Sequence, residues 1–85
     1  MIPEKQKILI VDDSEMNRAI LTGILDDGYD FLEAENGLQA LDVLRAHRDI
    51  SLVLLDIVMP VMDGYTFLSI VKAHPDYASI PVIVT

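Results

Sequence analysis

Three aspartates stand where a carboxylate can do chemistry. Asp12 and Asp13 follow the aliphatic run Lys7-Ile8-Leu9-Ile10-Val11, and Asp56 follows Leu52-Val53-Leu54-Leu55. An acid at the exit of a buried strand is costly unless it emerges into a cleft. If the two strands are neighbours, the three carboxylates converge, repel one another and raise at least one pKa. A hard divalent cation removes that conflict. Mg²⁺ takes oxygen ligands in octahedral geometry and keeps several waters, so a few carboxylates and one backbone carbonyl suffice. Thr85, at the end of Pro81-Val82-Ile83-Val84, would bring a hydroxyl to the same rim.

Each of these residues also has a plainer explanation. Asp13-Ser14 opens a helix, where either residue is favoured as a cap. Asp56 alone is a turn residue, and Thr85 alone is a β-branched strand residue. His47 and His74 fall at helix ends, where a cation suits the dipole better than a metal. The combination is more specific than its parts: an acid pair after one strand, an acid after another, Met59-Pro60-Val61-Met62-Asp63-Gly64, then a threonine after a further strand.

The elements that must position these residues alternate between two periods. The apolar runs Ile8 to Val11 and Leu52 to Leu55 predict strands over 7–11 and 50–55 that are buried on both faces. Tyr29 to Ala34, with Phe31 and Leu32 between acids, predicts a less buried edge strand, and Ile80 to Thr85 a fourth strand. Pro81 is tolerable at a strand's start or edge. Between them lie helical patterns: Met16, Ala19, Ile20 and Ile24, ended by Asp26-Asp27-Gly28; then Leu38, Leu41, Leu44 and Arg45 after Asn36-Gly37. A third helix carries Tyr65, Leu68 and Val71 with Phe67 alongside, opened by Asp63 as cap and closed near Ala73 before Pro75. The order βαβαβαβ implies a parallel sheet with right-handed crossovers and helices on both faces. Ligands of such sheets sit beyond the carboxyl ends of the strands, where the strand order reverses.

Composition narrows the function. The 85 residues form one domain at most, too apolar at 52% hydrophobic to be disordered. No apolar run approaches the roughly 20 residues needed to cross a bilayer, and the N-terminus reads as a polar lead-in rather than a secretory signal. A net charge of −8, with six scattered basic residues, argues against direct nucleic-acid contact. The absence of cysteine excludes disulfides and thiolate metal sites and is compatible with a cytoplasmic setting.

Ile8-Leu9-Ile10-Val11-Asp12-Asp13, Leu54-Leu55-Asp56-Ile57-Val58-Met59-Pro60-Val61-Met62-Asp63-Gly64 and Pro81-Val82-Ile83-Val84-Thr85 together resemble the receiver domain of two-component response regulators. The resemblance spans nearly the whole chain. It implies a flavodoxin-like doubly wound α/β fold with strand order 2-1-3-4. It further implies that residues 1–85 are the N-terminal two-thirds of a receiver, without the fifth strand and last two helices. Asp56 matches the phospho-acceptor, a nucleophile that takes a phosphoryl group from a histidine kinase or phosphotransfer protein. Asp13 matches a direct Mg²⁺ ligand, Asp12 a partner acting in part through water, and Val58 the residue whose backbone carbonyl completes the set. Thr85 matches the switch hydroxyl that bonds the new phosphoryl group. Pro60 and Gly64 supply loop geometry. The apolar Val58 side chain cannot orient an attacking water, which implies a long-lived phosphorylated form.

The family's lysine at the end of a fifth strand has no counterpart: Lys5 and Lys7 flank the opposite end of the first strand, and Lys72 is on the third helix. The resemblance thus leaves a second function open, a receiver fragment acting as an assembly module with poor phosphorylation, pairing through the fourth-strand edge or the first-helix face as a homodimer. The chain is not expected to be an enzyme in its own right. Haloacid-dehalogenase-type phosphatases want a second acid where Val58 stands, and a dinucleotide site needs a glycine-rich turn where Asp12-Asp13-Ser14 stands.

Overall fold

The computed structural model describes residues 5–25, 28–59 and 61–85. The start of the polar lead-in, the helix stop expected at Asp26-Asp27 and the turn role expected of Pro60 lie outside the described residues. The elements run β1 (Gln6–Val11), α1 (Glu15–Ile24), β2 (Tyr29–Ala34), α2 (Gly37–Ala46), β3 (Ile50–Leu55), α3 (Gly64–Ala73) and β4 (Val82–Val84). The strands form one sheet in the order β2-β1-β3-β4, and every pairing is parallel. This is the flavodoxin-like order that the motif resemblance implies. The order reverses between β1 and β3, so a crevice opens at their carboxyl ends.

Burial follows strand position. β1 and β3, in the middle, place Ile8 to Val11 and Val53 to Leu55 at 9% exposure or less, whereas β2 at the edge buries only Ala34. The pleat sends alternate residues to opposite faces. Leu9, Val11, Val53 and Leu55 meet Ala40, Leu41 and Leu44 of α2 and Phe67 and Val71 of α3 in the main core. Ile8, Ile10 and Leu54 point the other way, with Leu21 of α1 and its C-terminal cap Leu25 packed partly against them.

Helical spacing alone does not say which apolar residues of each helix face the sheet. Met16, Ile20 and Ile24 form an apolar stripe at helical spacing but are exposed, and α1 buries no residue completely. Leu21 and Leu25, next to that stripe, face the sheet instead. In α2, Leu38 is half exposed while Ala40 joins Leu41 and Leu44 inside, and in α3 Tyr65 points out while Phe67 fills the core. The fourth strand is also shorter than expected. Ile80 closes a turn by donating to Tyr77, and Pro81 accepts from the Val53 N–H but has none to donate, so pairing proper begins at Val82. The turn after α3 buries Tyr77, stacked on His74 with ring centroids 4.2 Å apart. Among the described residues no helix is long and apolar enough to cross a membrane.

Candidate functional site

At the exit of β1, the Asp12 N–H donates to the Ala34 carbonyl (3.0 Å), which continues the β1–β2 ladder one residue past the strand. Its carboxylate, on a residue only 5% exposed, accepts from the Ser14 N–H at 2.9 Å. Ser14, rather than Asp13, then caps α1 by accepting from Asn17 N–H (3.2 Å). Asp13 is left exposed.

β3 delivers the third acid. Val11 pairs with Leu55, and the Asp56 N–H donates to the Val11 carbonyl at 2.9 Å, so the two strand exits stand side by side. One Asp56 carboxylate oxygen accepts from the Val58 N–H at 3.1 Å, which folds the loop back over the acid. Carboxylate oxygens of Asp12, Asp13 and Asp56 lie within 4.8 Å of one another. All three are hard oxygen donors, a set that fits a small divalent cation. Neither histidine belongs to this cluster: His47 closes α2 and His74 closes α3. Thr85 stands beside it, its N–H donating to the Leu55 carbonyl (2.9 Å) and its hydroxyl reaching the same oxygen at 3.4 Å. β4 thus brings the hydroxyl to within one residue of Asp56 along the neighbouring strand.

The loop between β3 and α3 is fixed by close approach of backbone to backbone. The Gly64 N–H donates to the Ile57 carbonyl at 2.8 Å, and a Cβ on Gly64 would lie 2.6 Å from Ile57 Cα and 2.7 Å from the Asp56 carbonyl. Only glycine fits there. Asp63 caps α3 by accepting from Thr66 N–H at 2.8 Å, and that bond holds its carboxyl below the ordinary value. Val61 adopts a φ of 69°, a left-handed conformation uncommon for a β-branched residue and costing of the order of 1–3 kcal/mol. Val58, two residues past Asp56, is 80% exposed.

Two features escape sequence reading. Gly37 at the start of α2 seats Met62 where its own Cβ would be, and its N–H donates to the Met62 carbonyl (3.3 Å). Arg18 reaches back from α1 to the Asp12 carbonyl (2.6 Å) while pairing with Glu33 of β2 (2.9 Å). Arg18 and Glu33 are 15 residues apart, and only the β1–β2 register brings them together. Lys7 and Lys72 are elsewhere: Lys7 pairs with Asp49 at the amino end of the sheet, and Lys72 reaches the Ala78 and Ile80 carbonyls after α3.

A parallel sheet in the order β2-β1-β3-β4 with three acids gathered at its switch point places the chain in the flavodoxin-like class of α/β domains. Residues 8–85 match the response regulator receiver domain family, and the chain belongs to that family. It is 41% identical over 83 residues to the sensor histidine kinase CheAY of Helicobacter pylori, covering 95% of this chain and 10% of that protein. The signal receiver domain of a histidine kinase from Syntrophus aciditrophicus superposes with a TM-score of 0.87 at 39% identity, covering 93% of this chain and 60% of that one. The receiver domain of sensor histidine kinase PA1611 from Pseudomonas aeruginosa, a structure with a magnesium ion coordinated in its active-site cleft, superposes with a TM-score of 0.87 at 28% identity, covering 95% and 66%. The chain spans less than two thirds of the length of the first curated relatives it matches.

Proposed function

We propose that this chain is the phospho-accepting part of a receiver, in which Asp56 takes a phosphoryl group from the phosphohistidine of a sensor histidine kinase or phosphotransfer protein. The observation that carries this reading is the convergence of Asp12, Asp13 and Asp56 within 4.8 Å at the β1/β3 switch point, with Thr85 alongside. An Asp56 carboxylate oxygen attacks phosphorus as the bond to the histidine nitrogen breaks. Such a transfer asks mainly for positioning and for neutralisation of the charge on the phosphoryl oxygens. When bound, Mg²⁺ supplies that neutralisation. Asp13 and Asp56 would hold it directly, with the Val58 carbonyl, and Asp12 in part through water.

The chain's own residues do the rest. The Val58 N–H orients the acceptor carboxylate. Gly64 leaves room beside the Asp56 backbone. The Thr85 hydroxyl exchanges its weak 3.4 Å bond to the Leu55 carbonyl for a phosphoryl oxygen and so reports the modification. The exposed, apolar Val58 side chain gives water no partner, which favours a long-lived aspartyl phosphate in a cytoplasmic protein that accepts a group rather than turning one over.

The test is incubation of the full-length protein carrying this chain with a small phosphodonor and Mg²⁺, followed by intact-mass measurement. One added phosphoryl group is expected, and none in Asp56→Asn. Labelling that survives this substitution overturns the reading. Association through the exposed α1 stripe or through Ile83 and Val84 of β4, each about half exposed, is a second reading that these exposures favour. A strictly monomeric mass by light scattering at high concentration would remove it.

A further inference from the structure

We infer that Arg18, held in place by Glu33, is a positioning residue that sets Asp13 for metal binding. The inference rests on the acid triad being a cation site. The Arg18 side chain is only 13% exposed, although it is a long charged group on a helix with no fully buried residue. It lines a polar groove of about 370 Å³ between α1, the end of β2 and the start of α2, where Glu15, Glu33 and Glu35 all offer carboxylates. A guanidinium in such a groove has several partners to choose from. It takes Glu33 with Nε at 2.9 Å, and this choice aims Nη1 at the Asp12 carbonyl oxygen, 2.6 Å away.

That carbonyl belongs to the peptide unit joining Asp12 to Asp13. The unit is planar, so fixing its oxygen fixes the N–H and the Cα of Asp13. The two acids are therefore held by different means. Asp12 is buried and its carboxylate accepts from Ser14 N–H, so it is oriented from within the loop. Asp13 is exposed and takes its direction from its backbone, which Arg18 holds. A short bond from a charged donor is among the stronger ones available to a carbonyl. Mg²⁺ demands near-ideal octahedral geometry and punishes a misdirected ligand. Glu33 also occupies the guanidinium, so that this cation does not swing into the acid triad and compete there.

The fork geometry is essential. Arg presents separate N–H groups to the carboxylate and the carbonyl at once, whereas a lysine ammonium is a single point on a flexible stem. Arg18→Lys should therefore fail to restore what Arg18→Gln loses.

The experiment is Mg²⁺ titration by calorimetry of the full-length protein, at a temperature where circular dichroism shows every variant folded. The Asp13 amide is followed in parallel by NMR. Loss of an outer-shell partner weakens metal binding by about 10–100-fold, and the lower end is expected for Arg18→Gln because the effect passes through the backbone. Arg18→Lys should stay within a few-fold of Arg18→Gln, and Glu33→Gln should lose less than either. Arg48→Gln, which breaks a more exposed arginine–carboxylate pair with Asp76 (3.3 Å) away from the acids, should bind Mg²⁺ as the parent does. A merely structural role would lower stability without moving the Mg²⁺ affinity of folded protein or the Asp13 amide. Unchanged affinity in folded Arg18→Gln, with the parent binding normally, overturns the positioning role alone. If Arg18→Gln does not fold, unchanged affinity in Glu33→Gln does the same. A parent that binds no Mg²⁺ overturns the cation site and this inference with it.

Discussion

The two faces of the sheet are built differently. On one, Leu9, Val11, Val53 and Leu55 are sealed by α2 and α3, and Phe67, Val71, Ala40 and Leu44 are at 1% exposure or less. On the other, Ile8, Ile10 and Leu54 are buried, but α1 contributes only partly covered Leu21 and Leu25 and leaves an apolar groove of about 330 Å³ that runs to Ile83 and Thr85. Apolar burial is the dominant favourable term in folding, so the α2/α3 face carries most of the stability. The α1 face is where the acid pair is mounted. With little packing to hold the β1–α1 loop, its geometry is set by polar bonds instead: Ser14 to Asp12, Asp12 to Ala34, and Arg18 to both Glu33 and the Asp12 carbonyl.

The largest effect that would test this contrast comes from truncating one apolar side chain on each face. Phe67→Ala opens a cavity against residues that cannot collapse around it and should cost about 3–5 kcal/mol. A domain of ordinary stability has only about 5–15 kcal/mol to lose. Ile24→Ala removes a side chain that is 72% exposed and should change stability by no more than about 0.5 kcal/mol. Urea unfolding of the two variants measures both. Comparable losses would mean that the α1 stripe is covered in solution and that the faces are not so different.

Glycines sharpen the same comparison at a smaller scale. Gly64→Ala forces a methyl group into the Asp56 and Ile57 backbone, atoms that cannot step aside as a side chain tip can. Overpacking of this kind costs about 1–3 kcal/mol, and the displaced backbone is that of the acceptor itself, so phosphorylation should fall with it. Gly23, inside α1, has open space where a Cβ would go. Gly23→Ala should therefore stabilise the protein by about 0.5–1 kcal/mol through helix propensity alone. Thermal melts that moved in the same direction for both variants would contradict this division.

Sequence reading resolves the strands better than the helix faces, for a physical reason. A central parallel strand is apolar on both sides, so Ile8 to Val11 and Leu52 to Leu55 are unmistakable, and the motifs at their exits locate Asp12, Asp13 and Asp56 directly. The strand order and the convergence of the acids then follow from topology. A helix, in contrast, presents several apolar candidates, and which of them is covered depends on what packs there. Met16-Ile20-Ile24 has better periodicity than Leu21-Leu25, yet the second pair meets the sheet. Arg18 and Glu33 look like two ordinary surface charges until the β1–β2 register joins them, and nothing local to either residue signals the shared target at Asp12. The seat of Met62 against Gly37 is hidden in the same way, because the contact spans 25 residues of chain.

The smallest expected effect concerns how the helices on the two faces are capped. α1 is capped by the Ser14 hydroxyl, which has no charge to lose in acid, and α3 by the Asp63 carboxylate. The Thr66 N–H holds the Asp63 carboxyl below its ordinary value of 3.8 in the folded chain. The unfolded chain thus takes up a proton more readily than the folded one. Linkage then requires that the contribution of this charge to stability be complete above the unfolded value and be lost as pH falls through the folded one. Asp63→Asn keeps an oxygen acceptor for the Thr66 N–H without the charge. The stability difference between parent and Asp63→Asn, read as a shift in urea midpoint, should be flat from pH 7 to about 5 and shrink below about 4. The site is exposed and screened, so the shift is small, and the subtraction removes the parallel contribution of Asp49, whose carboxyl the Lys7 ammonium lowers at the other end of the sheet. The cost of Ser14→Ala should show no such slope. A difference for Asp63→Asn that stays constant into strong acid would mean that the carboxylate caps α3 no better than a neutral amide does.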